Sequence, residues 1–75
     1  MIEYSIPKAS DITIRIYNIL GQVVKTYKDN NLQPGYYNYL WTGRNEIGKV
    51  VSSGVYLYQL QADGFFDVKK MVLLK

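Results

Sequence analysis

Cysteine and histidine are both missing from these 75 residues. Their absence removes thiolate nucleophiles, imidazole bases and the usual zinc ligands. It also means that no disulfide supports the fold, so the chain either works in a reducing compartment or relies on its core alone. Acidic groups are few: four Asp and two Glu, dispersed, with Asp11, Asp29 and Asp63 at expected turns, where aspartate serves the backbone. No two carboxylates have a spacing suited to acid–base work. The glycines follow neither phosphate-binding spacing. These gaps predict a non-catalytic domain with no cofactor and no bound metal. The net charge of +3 is mild, and Lys69-Lys70 is the only adjacent basic pair. A nucleic-acid binder would carry a basic stripe. No apolar run approaches the roughly 20 residues of a membrane span. Met1-Ile2-Glu3 is not the start of a signal peptide, so an export signal would lie upstream. No segment has a helical period with caps, and no internal repeat occurs.

What is present is alternation. Ile2, Tyr4 and Ile6 share one face of a short strand closed by Pro7, which cannot donate to a ladder. Ile12, Ile14 and Ile16 point one way from Asp11 to Asn18, and Thr13, Arg15 and Tyr17 the other, the half-buried pattern. Gly21 breaks the pattern with a positive φ, and Ile19-Leu20 is expected to cap the core. A strand follows over 22–28, where adjacent Val23 and Val24 signal either burial on both sides or a bulge. Residues 28–31 read as a solvated turn. Pro34-Gly35 fits a type II turn, leading into a strand in which Tyr37, Tyr39 and Trp41 share a face. The stretch 36–60 holds the only tryptophan, five of eight tyrosines and three of six glycines. Its middle, Thr42 to Gly54, reads as an ordered connecting loop. A cation site on Asn45 and Glu46 is the weaker reading, since one carboxylate makes a poor oxygen cage.

Tyr56, Tyr58 and Leu60 alternate in a strand over 55–62. Asp63-Gly64 then makes a hairpin, expected as a type I′ turn, with its partner over 65–74. The simplest register pairs Ala62 with Phe65 and Tyr56 with Met71. It also sets Asp67 opposite Leu60 and Lys69 opposite Tyr58, on the expected core face. A bulge near Val68 would remove that conflict and return Val68 to the core. A place at the sandwich rim would also remove it, and the bulge is the favoured expectation. Six or seven short strands with turn signals between them describe a single all-β domain, a small antiparallel sandwich. Its expected core is Ile12, Ile14, Ile16, Tyr37, Tyr39, Trp41, Tyr56 and Tyr58. Eight tyrosines also raise a carbohydrate platform, for which Tyr17, Tyr27 and Tyr36 are the candidates left outside the core.

The pieces fall in a recognisable order. Ile2-Glu3-Tyr4-Ser5-Ile6-Pro7 precedes Ile12-Thr13-Ile14-Arg15-Ile16-Tyr17-Asn18-Ile19-Leu20-Gly21. Pro34-Gly35, Trp41-Thr42-Gly43, Gly48, Ser53-Gly54-Val55-Tyr56 and Lys70-Met71-Val72-Leu73-Leu74-Lys75 follow. Over essentially the whole chain this resembles the Ig-like domain found at the C-terminus of many exported bacterial proteins. That domain is related to the Ig-like domain of the flagellar hook-capping protein, and many examples are type A sorting domains of the type IX secretion system. Thr42 departs from the pattern, where relatives often carry an acidic residue. The Asn- and Pro-rich segment that usually precedes the first strand is also missing.

The resemblance implies a seven-stranded Ig-like sandwich over residues 1–75, cut from the tail of a larger exported protein. It implies an export and anchoring signal that passes through the periplasm to the cell surface. The implied partners are the secretion machinery, a sortase-like peptidase and the parent protein upstream, with no nucleic acid and no transmembrane segment. Gly21, Gly35, Gly43, Gly48 and Gly54 are expected to fix backbone conformations, and Trp41 and Tyr56 to fill the core. Tyr56 is a candidate tyrosine corner. Lys69, Lys70 and Lys75, on the closing strand, are the candidate recognition residues. A structural or adhesive Ig-like module and a carbohydrate-binding module are the other classes.

Overall fold

The computed structural model describes residues 2–74 as six strands with no helix. These are β1 (Ile2–Ile6), β2 (Ser10–Tyr17), β3 (Val23–Leu32), β4 (Gly35–Tyr39), β5 (Gly54–Ala62) and β6 (Phe65–Leu73). They form two antiparallel sheets, a pair β1-β4 and a four-stranded sheet in the order β3-β2-β5-β6. The order puts β2 beside β5 across the intervening residues 18–53, the non-local pairing of an Ig-like sandwich.

The two sheets meet over a core of Ile2, Tyr4, Ile6, Ile12, Ile14, Ile16, Trp41, Tyr56, Leu60 and Ala62. Every second residue of β1 and of the middle of β2 enters it, as period-2 alternation requires. Tyr37, Tyr39 and Tyr58 pack against this core but stay half-buried. Ile2 and Ile6 of β1 and Leu60 and Ala62 of β5 are buried more deeply than these rings. Trp41 is buried although β4 ends at Tyr39. It therefore belongs to the loop that follows, not to the strand. Rings stack both within a sheet and between the two sheets. Tyr4 stacks on its cross-strand partner Tyr37 at 5.8 Å, and Tyr27 of β3 stacks on Tyr39 of β4 at 4.2 Å.

Several local expectations change. Val23-Val24 is a bulge: Ile16 pairs with Lys25 and Tyr17 with Val23, leaving Val24 as the extra residue. Residues 28–31 are strand, not turn, because β3 runs on to Leu32 as the edge of its sheet, where polar side chains face water. A second irregularity lies between Ser10 and Ile12, where Asn31 takes φ 59° and its N–H donates to the Asp11 carboxylate at 2.9 Å. Asn tolerates that left-handed conformation better than most residues.

Ile19 and Leu20 do not cap the core. They are 75% and 78% exposed at the tip of a turn that the Asn18 side chain holds by accepting the N–H groups of Leu20 and Gln22. Pro34 makes a bend that enters β4 directly, and φ at Gly35 is 153°, far from a type II turn. The Asp63-Gly64 hairpin has its predicted register, but only Gly64 has a positive φ, so the turn is not type I′.

Candidate functional site

β6 keeps one register along its length, from Ala62–Phe65 to Gly54–Leu73, so the bulge expected near Val68 is absent. Val68 stays on the outer face, and Asp67 and Lys69 lie at the rim of the inner face. There they form an ion pair at 3.8 Å in which both side chains reach solvent. The rim placement spares both charges the cost of burial that a central position would impose. Lys70, opposite Leu57, projects from the other face. Lys69 and Lys70 are thus both exposed but on opposite faces of one strand, and do not form a single basic patch. Lys75 lies outside the described residues.

The outer face of the four-stranded sheet carries a feature that sequence reasoning did not pick out. Val55 and Leu57 on β5 and Phe66, Val68 and Val72 on β6 are all exposed there. The available signal was the adjacent apolar pairs Phe65-Phe66 and Met71-Val72, which give β6 apolar side chains on both faces. Among the described residues β6 pairs only with β5, and its other edge is open.

The Thr42–Gly54 loop is held by its own side chains. The Trp41 indole meets Tyr56 edge-on at 5.1 Å, and its N–H donates to the Arg44 carbonyl at 2.8 Å. The chain then doubles back, with Val51 N–H on the Gly43 carbonyl and Asn45 N–H on Lys49. The Asn45 side chain accepts the N–H groups of Ile47 and Lys49. The Glu46 carboxylate accepts Thr26 N–H, and Glu46 N–H donates to the Val24 carbonyl. Both residues weighed as cation ligands are therefore engaged with backbone. Glu46 closes part of the open edge of β3. Gly43, buried in this loop, has φ 75°, a value that favours glycine. The Tyr56 hydroxyl donates to the Ser52 carbonyl at 2.6 Å, four residues upstream, which is a tyrosine corner. Tyr37 makes the same contact to Gln33.

The tyrosines proposed for a sugar platform are scattered. The Tyr17 hydroxyl donates to Gln59 at 3.0 Å on the outer face, and Tyr27 is packed on Tyr39 between the sheets. Tyr36 alone is bare, at 91% exposure, beside Ser5 on the outside of the β1-β4 pair. Burial pushes the Tyr4 hydroxyl up to about 12, helped by neighbouring Tyr27 and Asp29. Tyr27 and Tyr39 shift upward too, each mainly by burial, with Asp29 and Glu46 adding to it.

Residues 2–64 match the model of the FlgD Ig-like domain. The chain belongs to that family. The match runs from the start of β1 to the β5–β6 turn of this FlgD Ig-like domain, so the Trp41 loop and the tyrosine corner fall within it and β6 lies beyond it. No match was found among curated proteins or among solved structures.

Proposed function

We propose that this FlgD-type Ig-like domain is a non-catalytic sorting and anchoring module that directs an exported protein through type IX secretion to the cell surface. The observation that carries the reading is the contrast between body and edge. In the Trp41 loop the side chains of Trp41, Arg44, Asn45 and Glu46 are engaged in holding the fold, whereas β6 offers an open edge flanked by Lys69 and Lys70. An open strand can be read by strand addition, in which main-chain hydrogen bonds give affinity and the side chains give selectivity. The secretion machinery and a sortase-like peptidase are the partners on this reading, met in the periplasm and at the surface.

The test fuses the domain to a reporter carrying an export signal, in a host with type IX secretion. Lys69→Ala and Lys70→Ala variants are compared at matched stability. Export of the parent fusion that falls in the variants supports β6 as the recognised element. Export unaffected by either lysine moves recognition elsewhere, and retention in the periplasm defeats sorting. A second reading, a structural or adhesive module, draws on the family itself, whose model is that of the hook-capping protein's domain. It predicts retention of the fusion with no loss of fold.

A further inference from the structure

We propose that two copies of this chain associate through their β6 edges, antiparallel and centred on Val68. The argument begins with which backbone groups are free. The two-residue loop at Asp63-Gly64 closes on Ala62–Phe65, and in such a hairpin the closing pair exchanges both of its hydrogen bonds. Alternation then turns the N–H and C=O of Phe65, Asp67, Lys69 and Met71 toward β5. Those of Phe66, Val68, Lys70 and Val72 face the open edge.

Side chains select the register. A symmetric pairing centred on Lys69 or Lys70 opposes two lysines, and one centred on Asp67 opposes two carboxylates, arrangements that destabilise a sheet. Centred on Val68, each Asp67 faces Lys69 of the second copy, twice by symmetry. The 3.8 Å contact within one strand becomes two contacts across the interface. Phe66 faces Lys70 of the second copy, a ring-to-ammonium arrangement, and Phe65 faces Met71, a favourable sulfur–aromatic pair. Val68 meets its own copy. The result is a continuous sheet of eight strands. Exposed Phe66 and Val68 gain neighbours on its outer face, and the acid–base pairs lie on the inner rim. Such pairing closes the edge named above for recognition, but it does not depend on the sorting reading.

Sedimentation equilibrium from about 10 μM to about 1 mM tests the pairing in the range expected of a modest interface. The mass should rise from 8.7 kDa toward twice that value. A monomer at the highest concentration overturns the proposal. Val68→Pro removes only an outward N–H, and edge strands tolerate such a proline. The variant should keep its β-sheet circular dichroism and remain monomeric. A folded Val68→Pro variant that still dimerises shows pairing by another surface, and overturns the proposal. Lys69→Asp opposes carboxylates twice across the interface and should weaken association about tenfold or more. Combining it with Asp67→Lys exchanges the charges and should restore the parent affinity. A folded double variant as weak as the single one contradicts the register.

Discussion

Trp41 both fills the core and fastens the longest loop. Its ring is 8% exposed, meets Tyr56 edge-on and holds the Arg44 carbonyl. Trp41→Ala removes a large buried side chain, a change that typically costs about 3–5 kcal/mol. Stability in natural domains is about 5–15 kcal/mol, and so small a chain falls at the low end. Trp41→Ala should therefore leave little folded protein, and a melting temperature within a few degrees of the parent would refute its role. Tyr56→Phe keeps the ring and deletes only the hydroxyl bond to Ser52. The expected loss is about 0.5–1.5 kcal/mol, read from chemical denaturation. Gly54 has φ 152° with open space where a Cβ would sit. Strain alone, not a clash, then sets the effect of Gly54→Ala, at about 1–3 kcal/mol. A variant as stable as the parent would show that the conformation carries no strain.

Among the elements, β1 and β2 were legible because each alternates and buries one face, and β5 because Tyr56, Tyr58 and Leu60 share its inner face. Two of the misreadings, at 28–31 and at Asp67 and Lys69, have a common cause in edges. β3 and β6 border the four-stranded sheet, where a polar residue faces water at little cost. The turn-like run Lys28-Asp29-Asn30-Asn31 is thus compatible with strand, and Asp67 and Lys69 can sit on the inner side at the rim without a bulge. The tyrosine corner at Tyr56 was expected from the family resemblance, and its hydroxyl does reach the Ser52 carbonyl. The doubling-back of the Trp41 loop was not, because it depends on Asn45 and Glu46 finding backbone N–H groups, one of them twenty residues away on β3. That contact yields a local prediction. Glu46→Ala uncaps Thr26 N–H at the open edge of β3 and should speed its hydrogen exchange about tenfold, leaving the amides of β5 unchanged. An unchanged Thr26 rate would mean that the loop does not cover this edge in solution.

For the whole molecule, the tyrosines that bind the two sheets also set its limit in alkali. The Tyr4 hydroxyl rises from 10.0 to about 12 on folding, and Tyr27 and Tyr39 shift the same way. Between those values the folded state holds protons that the unfolded chain has released. The stability this contributes is complete below pH 10 and is lost as pH rises toward 12. Denaturant midpoints should therefore be flat to about pH 9 and fall steeply above 10, and Tyr4→Phe should flatten that fall. A parent midpoint level through pH 11 would contradict the burial of these hydroxyls. The sorting role proposed above also belongs to the molecule as a whole, since it asks secretion machinery to read the edge strand β6 on a folded Ig-like body. The most direct measurement is where a cell in possession of type IX secretion places a reporter fused to this domain. Proteinase added to intact cells should degrade the reporter, or the medium should contain it. A reporter that remains protected in the periplasm, on a domain shown to be folded, would contradict the account.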